Sequence, residues 1–299
     1  MAAISCSAPG KIILCGEHAV VYNQPAIAIP IHQVSTTTRV FAHPTGPRGQ
    51  VRIISEAVNL DSELSELDLV NPLRKTIELV QAYFSIDHLP ACEIRIGSTI
   101  PIASGLGSSA STSVSLIRAL VQYLGHQLPD AEINQLANSA EKIHHGNPSG
   151  VDNTVITYER PVYFRRSQTV EFPAVAAPLN FVIANTGIPA STSEAVTWVK
   201  ERWQKSSEHF ENLFAEIGKI TDQIRQHLSQ GNITAIGPLL TQNHHYLQDI
   251  GVSCQALDSL VAAALDAGAL GAKLSGGGLG GNMLTLVRPA DSEKVMLAN

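Results

Sequence analysis

The order of patterns along the chain predicts a mixed α+β protein in two parts, and three observations carry that expectation. Up to about residue 170, strand-like runs alternate with stretches of helical periodicity. Pro173 and Pro178 then frame a short Ala-rich run that reads as a junction, which puts the expected boundary between domains 1–172 and 173–299. From Ser191 onward the chain is mainly helical, until it closes on two apolar strand-like runs flanking five glycines in the six positions 276–281. A length of 299 residues with 44% hydrophobic content is enough for one large or two ordinary domains.

Residues 4–15 read as a strand interrupted at Ala8-Pro9-Gly10, because proline donates no ladder hydrogen bond. Lys11 opens the resumed, apolar half, and Gly16-Glu17-His18 follows as a polar turn. Residues 27–31, 34–42 and 50–55 read as strands, with Thr36, Thr37 and Thr38 suited to a sheet and 43–49 as a surface loop. A helix is expected over 72–86, where Leu73, Ile77, Val80 and Phe84 share one face. The alternating run 92–96 is a strand; helices follow over about 108–124 and over 129–143, the second opened by Pro129 and Asp130. Residues 154–158, 161–164 and 179–184 return to strand patterning. Ser191-Thr192-Ser193-Glu194 is a helix-start signal, and helices are expected over about 193–229, 231–250 and 254–268. Trp198 and Trp203 read as core or helix-contact residues. His244 and His245 are adjacent, form no metal motif and read as structural.

Composition excludes several classes of function. A net charge of −6 with no basic block beyond Arg165-Arg166 argues against nucleic acid or an anionic membrane as the main partner. No apolar run approaches the roughly 20 residues of a membrane span, and the N-terminus has no secretory-signal pattern. Cys6, Cys15, Cys92 and Cys254 are scattered, which suits reduced thiols in a cytoplasmic protein and not a disulfide framework or zinc site.

The chemistry centres on PIASGLGSSA at 101–110, a Gly/Ser loop between a strand and a helix start. A helix N-terminus carries unpaired N–H donors and about half a positive charge, so its natural guest is an anion such as a phosphate. Gly105 and Gly107 allow close approach, and Ser104, Ser108 and Ser109 supply hydroxyls; the alternative is a plain turn capped by Ser108 or Ser109. Residues 105–110 also fit G-x-G-x-x-A, but two helices follow before the next strand, which a dinucleotide fold does not permit. The Walker pattern fails because no lysine follows Gly107. Glu141 and Asp152 flank a tight turn; paired carboxylates beside a phosphate loop can hold Mg²⁺ and accept a proton. The glycines at 276–281 cost conformational entropy, so a close approach or an unusual turn must require them.

Three segments together resemble the GHMP small-molecule kinases: APGKIILCGEHA at 8–19, PIASGLGSSA at 101–110 and KLSGGGLGGN at 273–282. GEHAVVY at 16–22, HGNPSGVDN at 145–153 and TGIPAST at 186–192 are most similar to the branch that phosphorylates mevalonate. The resemblance implies a two-domain α+β fold, a ribosomal-protein-like βαβ domain followed by a ferredoxin-like domain, with the active site in the cleft between them. It implies ATP-dependent, Mg²⁺-dependent phosphorylation of the 5-hydroxyl of mevalonate, a small-molecule substrate, with a homodimer as the candidate assembly. Ser98, Ala103, Ser104, Gly105, Leu106, Gly107, Ser108 and Ser109 would bind ATP. Ser109 and Glu141 would hold Mg²⁺. Asp152 would be the catalytic base, while Lys11 would neutralise charge and lower the pKa of the reacting hydroxyl. Glu17, His18, Ser149 and Thr192 would bind the substrate. The alternatives are a relative acting on homoserine, a sugar or another position of mevalonate, and a catalytically silent ligand-binding member. In the third segment Leu279 interrupts a glycine run that family members more usually keep intact.

Overall fold

The computed structural model describes residues 3–298 apart from 102–103, 146–148 and 167, with backbone alone at 144–145. In chain order the strands and helices are β1 (Ile4–Cys15), β2 (Ala26–Ala42), β3 (Val51–Ser55), β4 (Leu60–Glu63), α1 (Pro72–Tyr83), β5 (Cys92–Ser98), α2 (Ser108–Tyr123), α3 (Asp130–His145) and α4 (Val151–Tyr158). They continue with β6 (Val162–Phe164), β7 (Asn180–Asn185), α5 (Thr192–Lys205), α6 (Ser207–Gln230), α7 (Ile233–Ile250), α8 (Gln255–Asp266), β8 (Gly271–Ser275), β9 (Asn282–Val287) and α9 (Ser292–Ala298). No helix among the described residues is long and apolar enough to cross a membrane. The chain forms two compact units: Met1–Lys11 with Pro30–Ile102 and Gly107–Glu159, and Ile12–Ile29 with Ala103–Leu106 and Arg160–Asn299. Both are discontinuous in sequence, whereas a single cut between 172 and 173 was the expectation.

In the first unit the strand order is β1–β2–β5–β3–β4, with β2 antiparallel to β5 and β3 parallel to it. α1 starts as its sequence dictates: Asn71 accepts from the backbone N–H of Leu73 at 2.9 Å, and Pro72 occupies the first turn. Hydroxyls seat α2. Ser111 Oγ donates to Ala8 O at 2.8 Å and accepts from Thr36 N at 3.3 Å, and Ser115 Oγ lies 2.9 Å from Thr38 Oγ1.

β1 runs unbroken through Pro9, because it is an edge strand in this order and an edge tolerates a missing donor. β2 likewise joins the two expected strands; Pro30 falls between the stretches paired with β6 and with β5. Residues 154–158 are not a strand but most of α4. Gly150 (φ 88°) starts that helix and six of its eight residues are buried, Asn153, Thr154 and Thr157 among them, so burial on nearly every side hides its helical period. β-Branched residues that favour strands are overridden there by packing.

In the second unit β7–β9–β8 form an antiparallel sheet. Its core joins Phe214, Ile217, Leu247 and Leu257 of α6, α7 and α8 to Leu274 of β8 and Met283 of β9, all buried. Tyr22 stacks on Phe214 at 4.1 Å. Ser191 caps α5 by accepting from Glu194 N at 3.3 Å, but the expected 193–229 helix is two helices, because Ser206 (φ −148°, ψ 58°) leaves the helical region. Trp203 packs near Tyr22 as expected, whereas Trp198 is 47% exposed and not a core residue. α7 lies directly on β8: a β-carbon at Gly271 would collide with Gly237 O, and one at Gly237 with Leu270 O. Only glycines permit that approach, and it brings the side chains of α7 against those of β8.

Candidate active site

The first unit gathers a lysine, two carboxylates and an open helix N-terminus. Lys11, 4% exposed, places Nζ 3.0 Å from Asp152 Oδ2, while the Asp152 side chain is 39% exposed and so reachable by a ligand. Gly107 makes room for that lysine. A β-carbon there would lie 2.7 Å from Lys11 Cγ and 3.0 Å from Ile156 Cδ1, and its φ of 78° is left-handed. Asp152 sits in the first turn of α4, which is tied to α3 through side-chain amides. Asn153 Nδ2 donates to Asn134 Oδ1 at 2.6 Å, Asn134 Nδ2 to Thr154 Oγ1 at 3.3 Å, and Thr154 Oγ1 to Gly150 O at 2.7 Å. Seven residues on, hence on the same face of α3, Glu141 Oε1 accepts from Ser109 Oγ at 2.7 Å.

The start of α2 settles one alternative. Gly107 occupies the N-cap position and no side chain caps the helix, so the plain Ser-capped turn does not form. Ser108 and Ser109 are half-buried within the first turn. Ser98 Oγ accepts from Ile100 N at 3.1 Å and lies 3.1 Å from Thr36 Oγ1, so its hydroxyl shapes the strand end. Ala103 lies outside the described residues. Ser149, half-buried, accepts from Val151 N at 3.4 Å at the entrance to α4.

The second unit gathers Glu17, His18 and Thr192 around β8 and the glycine loop that follows it. Glu17 is 1% exposed and forms an ion pair with Lys273, itself 0% exposed. Asn243 Nδ2 donates to the other Glu17 oxygen at 3.4 Å. His18 Nε2 lies 2.9 Å from Gly277 O; a carbonyl only accepts, so Nε2 carries the proton. Thr192, exposed at the start of α5, leaves no space for a β-carbon on Gly277, its Cα being 2.9 Å from where one would stand. The glycines of this loop thus answer in part to the chain's own close approach. Leu279, the departure from the family pattern, adopts a φ of 60° and donates its N–H to Val252 O at 2.7 Å. Within this unit Asn282 Nδ2 donates to Ser104 O beside Gly105 and Leu106, which anchors the first half of the Gly/Ser loop.

Lys273, Asn134, Asn243 and Asn282 carry this geometry and had no role assigned from sequence. Lys273 and Asn282 stand at the two ends of the glycine-rich stretch 273–282; Asn134 and Asn243 lie in ordinary helical stretches with no motif. His244 is structural as expected: Nδ1 accepts from Leu274 N at 3.2 Å and Nε2 lies 3.1 Å from Asp258 Oδ1.

Burial, aided by the Lys273 charge, pushes His18 down to about 4. Burial does the same to His244, where Asp258 opposes and Lys273 assists. Burial and the neighbouring Glu17 push the Cys15 thiol up to about 12. Both histidines are therefore neutral when folded, against an ordinary value of 6.5. Between these values the unfolded chain binds more protons, so stability falls as pH drops from about 6.5 towards 4, by about 1.4 kcal/mol per pH unit for each histidine. The urea midpoint at pH 5 is expected below that at pH 7, with a smaller difference in His244→Gln; equal midpoints in the parent protein would contradict it.

Two family profiles match the chain: GHMP kinases N terminal domain over residues 71–160, and GHMP kinases C terminal over residues 222–299. The mevalonate kinase of Pyrococcus horikoshii is 33% identical, over 95% of this chain and 88% of that protein. The chain belongs to the GHMP kinases. A second relative, the mevalonate kinase of Methanothermobacter thermautotrophicus, is 33% identical over 94% of this chain and 89% of its own. Among solved structures, L. major mevalonate kinase in complex with R-mevalonate superposes with a TM-score of 0.84 at 31% identity, covering 98% of this chain and 90% of that one. The Methanococcus jannaschii mevalonate kinase gives a TM-score of 0.87 at 27% identity, covering 99% and 94%. The α+β, two-domain GHMP kinase fold is thus this chain's fold, and GHMP kinases use ATP to phosphorylate small molecules.

Proposed function

We propose that this GHMP kinase transfers the γ-phosphoryl group of ATP to the 5-hydroxyl of mevalonate. The observation that carries the reading is the buried Lys11 ammonium 3.0 Å from the accessible Asp152 carboxylate, in a chain whose near full-length relatives are named for that reaction. Asp152 accepts the hydroxyl proton as the acceptor oxygen bonds to the γ-phosphorus and the bond to the β,γ-bridging oxygen breaks, releasing ADP. Lys11 offsets the negative charge that builds on the reacting oxygen. Phosphoryl transfer depends on such positioning and charge neutralisation more than on covalent help.

The uncapped first turn of α2, with Ser108 and Ser109, and the segment Ser104, Gly105, Leu106 and Gly107 are the proposed phosphate-binding groups. Ser109 Oγ and Glu141 Oε1, 2.7 Å apart, fit a hard cation that takes oxygen ligands. Among the described residues no cluster of three His, Cys, Asp or Glu side chains offers another metal site. Mg²⁺, when bound there, neutralises phosphate charge. His18, Ser149 and Thr192 are the proposed acceptor contacts. The proposal includes functional domains over 1–172 and 173–299, and a cytoplasmic location, in keeping with four free cysteines.

An acceptor panel decides the substrate. With ATP and Mg²⁺, mevalonate is expected to give ADP release well above homoserine, galactose and phosphomevalonate; turnover with one of these and none with mevalonate would overturn the assignment.

A further inference from the structure

The Glu17–Lys273 pair takes no part in the phosphoryl transfer described above, yet both side chains are sealed from water, at 1% and 0% exposure. Desolvating two charges is costly, and apolar side chains of similar size commonly serve stability as well or better. A fully buried pair therefore calls for a geometric reason. That reason lies one residue along the chain. His18 has φ 58° and ψ −48°, a conformation that a residue with a β-carbon seldom adopts. Strained backbone persists only where its surroundings over-determine it.

Here two anchors hold the turn, and both come from one strand and its loop: Lys273 of β8 grips Glu17, and the Gly277 carbonyl accepts from His18 Nε2 at 2.9 Å. Within the turn, Ala19 N donates to Glu17 O at 2.6 Å and Val20 N to Gly16 O at 3.0 Å. Behind Glu17, Asn243 of α7 donates to the second carboxylate oxygen, and Ser275 Oγ fixes β8 against Ile13 O at 2.9 Å. The Glu17 carboxylate is thus engaged on both oxygens by protein groups.

We propose that Lys273 is a positioning residue for the acceptor site: through Glu17 it clamps the strained turn at 16–19 and so fixes where His18 meets the acceptor. Glu17 is then part of the clamp and not an acceptor ligand. The inference deepens the kinase reading above and rests on it.

Steady-state kinetics in both substrates, for the parent protein, Lys273→Met and the doubly substituted Glu17→Gln/Lys273→Met, test it. The double substitution leaves no buried charge unpaired and keeps a folded protein in hand if the single variant fails to fold. Both variants are expected to raise KM for the acceptor by about tenfold or more with KM for ATP within about twofold. The doubly substituted protein keeps that defect even where its urea midpoint returns to the parent value. A parent-like acceptor KM in the double variant would make the pair merely structural and overturn the proposal, as would equal rises in both KM values. Failure of the parent protein on mevalonate sinks the substrate reading alone, and the clamp is then tested with whichever panel acceptor turns over. Should none turn over, the His18 ring resonances decide: loss of the Nε2–H bond signature in both variants supports the clamp, and an unchanged His18 spectrum overturns it.

Discussion

Asp152→Asn is expected to lower kcat by about 10²–10⁴-fold, the usual contribution of a general base, while ATP affinity stays close to that of the parent protein. The amide matches the carboxylate in shape, keeps a hydrogen-bonding oxygen, and cannot take the acceptor proton. The backbone of α4 should keep its place, because Asn153, Thr154 and Asn134 hold it, but the buried Lys11 loses its counter-charge and some stability goes with it. The same variant separates the kinase from a catalytically silent ligand-binding member of the family, which would have no use for a base. Nucleotide titration alongside turnover checks both halves. Full activity in Asp152→Asn would remove Asp152 from the mechanism.

Lys273→Met carries the largest expected cost to stability, about 3–5 kcal/mol, because it leaves the Glu17 carboxylate buried without its counter-charge. Asn243 Nδ2, 3.4 Å away, offers that carboxylate one long hydrogen bond and no charge. Domains of ordinary stability unfold at about 5–15 kcal/mol, so the loss should be plain in a urea or thermal melt. Adding Glu17→Gln is expected to return most of it, since the remaining groups are neutral. A single variant as stable as the parent protein would mean that the pair is not desolvated as the structure has it.

Much of the fold was legible from periodicity and end signals. α1 declared itself through a one-sided apolar face, and β9 through an apolar run after glycines. α4 did not, because a helix buried on nearly every side shows no amphipathic stripe and its Val, Ile and Thr content argues for a strand. β4 escaped because four largely polar residues carry no alternation, and its place depends on pairing with β3. Of the candidate site, Lys11, Ser109 and Asp152 stood in recognisable segments and Glu141 shortly before one, and the first unit brings them together in pairs. The partner of Glu17 was beyond reach, since Lys273 lies 256 positions along the chain and only the docking of α7 on β8 and the path of β1 bring the two together. Asn134 was hidden for the same reason: one of two asparagines on α3, it gains its role only from the residue it faces.

The most direct test of the central claim is ADP release from ATP and Mg²⁺ with and without mevalonate, with the phosphorylated position of the product located by phosphorus–carbon coupling. The account predicts one ADP per mevalonate consumed and a phosphate on the primary 5-oxygen. ADP release indifferent to mevalonate, or a phosphate on any other oxygen, would contradict it.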